Sequence, residues 1–270
     1  MKKIVEAALV EDGGVHDPIS FSLGKQEARG EFIGKEEFVF CGRDIMEMVF
    51  KTLDSSLSVD FFCDDGDTIE FESRLGIVSG SAGAILKGER VALNFAQRLS
   101  GIATLTSKFV DRIAGTGVKI CDTRKTTPLF RYLEKYAVRC GGGANHRFSL
   151  SDGVLVKDNA IKVFGSLRDA VSRVRGVAHH LLKIEVEVEN LAEFAEALAL
   201  DVDAILLDNM SCEDVRKAVS LGKGKVMLEV SGNITLDNVR EYAETGIDII
   251  SIGMLTHSAP AVDISFECLR

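Results

Sequence analysis

The sequence predicts an α/β chain in which an N-terminal α+β domain precedes an incomplete (β/α) barrel of six or seven parallel strands. Three observations predict it. From Val118 onward, short β-branched runs alternate with helical patterns, the rhythm of a parallel sheet covered by helices. No G-x-G-x-x-G or P-loop follows any of those runs, which argues against an open doubly wound sheet. The first 87 residues lack this rhythm and mix strand alternation with short helices. A length of 270 residues suits one large or two ordinary domains. We place an N-terminal domain with its bridging helices at 1–110 and the barrel at 111–270. The C-terminal tail is expected to pack back on the first domain.

The elements follow in order. A short amphipathic helix near Ile4–Val10 ends in the turn-rich Glu11-Asp12-Gly13-Gly14. Strand alternation runs over Gly30–Phe40, a helix over Asp44–Leu53, and β stretches over Val59–Cys63 and Thr68–Val78. Between these two, Asp64-Asp65-Gly66-Asp67 reads as a hairpin turn, because it lacks EF-hand spacing. From Glu89 the apolar spacing is helical through Val91, Phe95, Leu99, Ile102, Leu105, Phe109 and Ile113, with a break expected at Ser100-Gly101. Barrel strands are expected at Val118–Cys121, Val154–Val156, Ile184–Val188, Ala204–Leu207, Val226–Val230 and Ile249–Ile252, with a short seventh near 144–148. Helices fit between them at 128–139, 166–176, 191–199, 211–220 and 235–244.

Composition excludes several classes of function. The chain is 46% hydrophobic, 27% charged and carries a net charge of -9, against nonspecific nucleic-acid binding. The six cysteines show no C-x-x-C or zinc-finger spacing, no leader-like segment opens the sequence, and no run is long and apolar enough to span a membrane. A cytoplasmic protein with reduced thiols, away from membranes and nucleic acid, is the expectation. Within the acidic whole, thirteen Lys and Arg against five Asp and Glu lie between Arg90 and Lys162. A basic third in an acidic chain points to a site for a small, highly charged anion.

The strand ends locate that site. The six runs lead into Asp122-Thr-Arg-Lys125, Lys157-Asp-Asn159, Glu187, Asp208-Asn209, Ser231-Gly232 and Gly253. In (β/α) barrels this end is the catalytic mouth. Arg124, Lys125 and Lys157 suit phosphate and carboxylate oxygens, and Glu187 and Asp208 suit Mg²⁺ or ribose hydroxyls. The implied ligand is an anion bearing phosphates and hydroxyls.

Longer motifs go further. Asp122-Thr-Arg-Lys-Thr-Thr-Pro128, Glu134-Lys-Tyr-Ala-Val-Arg-Cys-Gly-Gly-Gly143 and Asn145-His-Arg147 closely resemble the quinolinate phosphoribosyltransferases, as do Glu89-Arg90, Gln97–Thr104, Lys157-Asp-Asn159, Leu207-Asp-Asn209, Ser231-Gly232 and Thr256-His-Ser258. Matching motifs extend from Glu11-Asp12 to beyond His257. The resemblance implies an α+β sandwich domain joined to an incomplete barrel, and synthesis of nicotinate mononucleotide, CO₂ and pyrophosphate from quinolinate and phosphoribosyl pyrophosphate with Mg²⁺. It implies that Arg124, His146, Arg147 and Lys157, with Lys125 beside them, bind the anions. Glu187 and Asp208 then face ribose and metal; Ser231, Gly232 and Gly253 form phosphate loops. Arg90 matches an arginine supplied by a neighbouring subunit, in a homodimer or a higher homo-oligomer. Lys157, Glu187 and Asp208 carry the catalytic assignments.

Three departures stand out: Leu129 where the family usually has Gly, Ala160 where it often has His, and His16 in place of a usual Gly. Gly141–Gly143 reads as a close approach to phosphate. His179-His180 reads as a surface pair and His257 as a helix cap. Two other readings remain open. One is a paralogous barrel linked to molybdenum transport, which should depart from D-T-R-K-T-T-P and K-D-N, both intact here. The other is a phosphate-binding lyase using Lys157 or Lys125 as a Schiff base, which the surrounding arginines oppose.

Overall fold

A computed structural model describes residues 1–13 and 17–269, which form two compact units. His16 lies outside the described residues. The first unit takes Met1–Ser107, Thr127–Gly142 and Ser258–Arg270; the second takes Lys108–Thr126 and Gly143–His257. Among the described residues no helix is long and apolar enough to cross a membrane.

The first unit opens with α1 (Lys2–Gly13) and α2 (Pro18–Leu23), the latter capped by Asp17 Oδ1, which accepts from the Ile19 and Ser20 amides. There follow β1 (Glu27–Gly34), β2 (Phe38–Val39), α3 (Arg43–Leu53), β3 (Ser58–Phe61), β4 (Thr68–Ile69), β5 (Arg74–Ser81), the 31-residue α4 (Ala82–Arg112) and α5 (Arg131–Cys140). The single strand expected over Gly30–Phe40 is two, because Lys35-Glu-Glu37 turns the chain and β2 pairs with β4 instead. Thr68–Val78 likewise divides at a turn over Glu70–Ser73, where Glu72 takes φ 62°. Phe32 of β1 meets Phe50 of α3 in a tilted contact with ring centroids 5.9 Å apart, and both are fully buried. Asp65 organises this core edge: its Oδ1 accepts from the Gly42 and Arg43 amides at the start of α3, and its Oδ2 from Tyr136 Oη. All six cysteines are unbridged.

The break expected at Ser100-Gly101 does not occur, for two identifiable reasons. Ser100 Oγ is buried and holds both the amide and the carbonyl of Cys41, so it does not compete with its own helix. Gly101 is needed for packing, since a Cβ there would lie 1.9 Å from the Pro260 carbonyl oxygen. Gly141 has a similar cause. Its Cβ would meet the Ala103 carbonyl oxygen at 2.2 Å, so close helix packing by itself requires glycine there.

The second unit runs β6 (Lys119–Cys121), β7 (Val154–Val156), α6 (Asp158–Phe164), α7 (Leu167–Val177), β8 (Ile184–Val188), α8 (Leu191–Leu198), β9 (Ala204–Asp208), α9 (Cys212–Gly222), β10 (Met227–Ser231), α10 (Val239–Ala243), β11 (Ile249–Ser251) and α11 (Met254–His257). Its sheet is wholly parallel in the order β6-β11-β10-β9-β8-β7. The seventh strand expected near 144–148 is only the bridge of Ala144 to Cys121. Ser166, Asn190 and Ser211 cap α7, α8 and α9 through their side-chain oxygens. Between strands, Asp203 and Asp248 carboxylates accept from the Ile184 and Leu228 amides, locking the strand starts in register.

Side-chain parity divides each strand. Val186, Ile205, Leu207, Val230 and Ile250 are completely buried and form the core. Glu185 and Glu187, Leu206 and Asp208, Glu229 and Ser231, and Ser251 occupy the alternate positions. The chain ends in β12 (Ile264–Leu269), which pairs antiparallel with β1 of the first unit and brings Phe266 within 4.9 Å of Phe32. The resulting sheet order is β12-β1-β5-β3.

Candidate active site

The alternate positions converge on one cavity of about 180 Å³ at the C-terminal ends of the barrel strands. Eight residues singled out from the sequence line it: Arg124 and Lys125 after β6, His146 and Arg147 before β7, Lys157 after β7, Glu187 in β8, Asp208 at the end of β9 and Ser231 at the end of β10.

Two loops are tied together beneath the cations. Buried Asp122 accepts from the His146 amide at 2.9 Å on one oxygen and from Asn145 Nδ2 at 2.5 Å on the other. This fixes the turn carrying Arg124 against the turn carrying Arg147. Arg147 Nη1 donates to the Gly153 carbonyl at 2.7 Å, and Thr256 Oγ1 donates to the Lys125 carbonyl at 2.7 Å. The cations are thereby held close together against their mutual repulsion. Burial first, then the neighbouring Arg124, lowers the Arg147 pKa below the ordinary guanidinium value. A site that crowds cations in this way is built for an anion that neutralises them.

The acids occupy two levels. Nearer the rim, Glu187 pairs with Lys157, and Asp208 Oδ2 accepts from Asn209 Nδ2 at 2.8 Å. Deeper, Glu185 and Glu229 stand two residues before Glu187 and Ser231 on their strands and are 8% and 3% exposed. His146 Nε2 lies 3.0 Å from Glu185 Oε2 and 3.6 Å from Glu229 Oε1, while its Nδ1 accepts from the Arg147 amide at 2.7 Å. The imidazole therefore donates from Nε2 to Glu185. Burial, then the adjacent Glu185 carboxylate, pushes the Glu229 carboxyl up to about 7.

Comparison with known proteins gives this geometry its context. A family model described as quinolinate phosphoribosyl transferase, N-terminal domain, matches residues 17–100, and its C-terminal counterpart matches 102–267. A Bacillus subtilis protein named probable nicotinate-nucleotide pyrophosphorylase (carboxylating) is 42% identical over 268 residues, covering 99% of this chain and 93% of that protein. The chain belongs to the quinolinate phosphoribosyltransferase family. Among solved structures, nicotinate-nucleotide pyrophosphorylase from Ehrlichia chaffeensis is 41% identical with a TM-score of 0.95, covering 100% of this chain and 98% of that one. The corresponding Francisella tularensis structure is 39% identical, also at 0.95, covering 99% and 95%.

As a phosphoribosyltransferase of this family, the chain spreads the remaining sequence-derived residues more widely. Gly232 and Gly253 are not among the residues lining the cavity, though each lies within two residues of one that is, Ser231 and Ser251. Gly232 takes φ 96°, and a Cβ there would meet Asn209 Oδ1 at 2.2 Å; one at Gly253 would press on Lys125 and His257. Both shape the loops that present their neighbours. Arg90 lies on α4 in the first unit, half-exposed beside Glu89. His179 and His180 are exposed between α7 and β8, and His257 ends α11. Sequence reasoning missed Glu185, Glu229 and Ser251, and named Asp122 at a strand end without giving it a role. For the two glutamates the signal was available, because each sits at i-2 from a named strand-end residue and so shares its face.

Proposed function

We propose that this chain transfers the phosphoribosyl group of phosphoribosyl pyrophosphate to quinolinate with loss of CO₂, giving nicotinate mononucleotide and pyrophosphate for NAD biosynthesis. The observation that carries the reading is the gathering of Arg124, Lys125, Arg147 and Lys157 with Glu187 and Asp208 in one cavity, in a chain of this family. Two carboxylates on the pyridine need fixed cations at two points. Arg124 and Arg147, with His146 beneath them, supply one cluster and Lys157 the other. Ser231 and the turn at Gly232 suit the 5-phosphate, with backbone N–H groups as donors.

The pyridine nitrogen displaces pyrophosphate at the ribose carbon through a transition state with positive charge on the sugar. Glu187 and Asp208 place negative charge where that cation develops, which is where preorganised electrostatics accelerates reaction. Their hard oxygen donors also fit Mg²⁺, which takes one or two carboxylates together with phosphate oxygens and waters. When bound, Mg²⁺ supplies charge neutralisation to the pyrophosphate group. Lys157 or Arg147, next to the ring carboxylates, assists decarboxylation by balancing the electrons left on the ring. Arg90, in the first unit, acts in the site of a second copy, so the active form is a homodimer or a larger assembly built on it.

The test is release of labelled CO₂ from quinolinate. Release that requires phosphoribosyl pyrophosphate and Mg²⁺ together is the expected result. No release, or release independent of the co-substrate, overturns the reading.

A further inference from the structure

We propose that Glu229 is a catalytic acid of this reaction: its carboxyl gives the proton that replaces the departing CO₂ on the pyridine ring. The inference rests on the function proposed above and adds a residue and a step to it. After transfer, the bond between ring carbon 2 and its carboxylate breaks, CO₂ leaves, and the bonding electron pair stays on carbon 2. That pair takes the Glu229 proton, a C–H bond forms, and Glu229 is left as a carboxylate. Water returns a proton to it once product has left, so protons and charge balance over a turnover.

The geometry points to this residue by its placement. Glu229 lines the cavity although it is only 3% exposed, so it forms the floor on which a bound ring would rest. Most other proton-bearing groups of the cavity are committed elsewhere, Lys125 being the exception. Arg124 and Arg147 do not give up protons in proteins. Lys157 pairs with Glu187, and His146 Nε2 is turned to Glu185. The Ser231 and Ser251 hydroxyls are far weaker acids than a carboxyl. Glu229 Oε1 has no hydrogen-bond partner within reach, and His146 Nε2 stands 3.6 Å from it.

Burial and the Glu185 carboxylate favour a proton on Glu229, against the opposing pull of His146 and Ser251. Glu185 faces it from β8 and His146 from the turn before β7; Ser251 stands beside it on β11, and Leu206 is its register partner on β9. Two carboxylates in so small a buried space share a proton more cheaply than they carry two charges. The resulting value of about 7 leaves about half of Glu229 protonated at neutral pH, a proton it can release to a carbanion. A neutral acid at the floor also adds no repulsion toward a highly anionic substrate.

The experiment separates the two bond changes in single-turnover mixing with quinolinate, phosphoribosyl pyrophosphate and Mg²⁺. Wild type should release pyrophosphate and form nicotinate mononucleotide in step; if it releases no pyrophosphate, the parent reading fails, not this one alone. Glu229→Gln should keep quinolinate affinity and one pyrophosphate per site, while nicotinate mononucleotide formation slows by about a hundredfold or more. Formation at the wild-type rate, with protonation by water, overturns the proposal. So does an equal loss of both products with loss of quinolinate binding, which is what a purely structural role produces. Should the variant fail to fold, wild type decides alone. Its product-forming step should slow as pH rises through about 7 and show a solvent deuterium effect that the pyrophosphate step lacks. Absence of both signatures overturns the assignment.

Discussion

Replacing Gly101 by Ala tests whether packing against the C-terminal segment dictates the sequence of α4. A Cβ at 101 lies 1.9 Å from the Pro260 carbonyl oxygen and 3.1 Å from Ala261 Cα, where ordinary contact begins near 3.4 Å. Both neighbours are backbone, so relief requires the segment to lift away. That movement strains three hydrogen bonds between the segment and α4: Arg98 Nη1 to the Ala259 carbonyl, the Val262 amide to the Gln97 carbonyl, and Gln97 Nε2 to the Ile264 carbonyl. At about 1 kcal/mol each the loss is about 3 kcal/mol. The helix gains about 1 kcal/mol from Ala over Gly, leaving a net destabilisation of about 2 kcal/mol. Gly176→Ala in α7 is the control, since nothing lies within 4 Å of its Cβ. It should stabilise by up to about 1 kcal/mol. Denaturant unfolding followed by circular dichroism reads both; midpoints should be compared transition by transition, because two units need not unfold together. A Gly101→Ala protein as stable as wild type refutes the packing argument.

Leu129 takes φ 67° with 87% of its surface exposed, so Leu129→Gly should relieve left-handed strain and raise stability by about 0.5–1 kcal/mol in thermal melts, despite the greater freedom of unfolded glycine. Glu187→Gln or Asp208→Asn should lower kcat far more than quinolinate affinity in steady-state kinetics, because their charge matters most once the ribose is cationic. Nicotinate should be a poor substrate in the same assay, since one missing carboxylate leaves crowded cations unneutralised. Arg90→Ala and Lys157→Ala proteins, each inactive, should on subunit exchange recover roughly a quarter of wild-type activity, one intact site arising in each mixed dimer; no recovery after proven exchange would place Arg90 in its own chain's site or in none.

The barrel was legible because its strands are short β-branched runs closed by polar residues. All six were located within two residues, and the caps at Ser166, Asn190 and Ser211 mark where the helices after them begin. What was illegible depended on partners distant in sequence. Ser100-Gly101 looks like a helix break until Cys41 and Pro260 are placed against it. The β12 strand does alternate, from Val262 to Cys268, and went unread, whereas its pairing with β1 spans almost the whole chain and no local pattern reveals it. The same holds at the candidate site. Strand-end residues such as Lys157 and Asp208 stand out against apolar runs, whereas Glu185 and Glu229 sit inside the runs and look like interruptions of a core. Asp122 reads as one more polar loop residue until its two oxygens are seen holding Asn145 and His146.

The charge asymmetry along the chain shows why placement outranks counting. Of the thirteen Lys and Arg between Arg90 and Lys162, only four line the cavity. Others work elsewhere: Arg98 binds buried Glu134, and Lys162 pairs with Asp158 on α6. Against the four stand Glu187, Asp208 and Glu229, so the cavity is nearly balanced by residue type. Protonation of Glu229 changes that balance. With its carboxyl neutral, four cations face two carboxylates, which in the function proposed above stand where the sugar's positive charge forms. A uniformly basic pocket would hold the anionic substrates tightly but would oppose the cationic transition state. Separating cations for the bound carboxylates from acids for the reacting carbon lets one small cavity favour the transition state over the ground state.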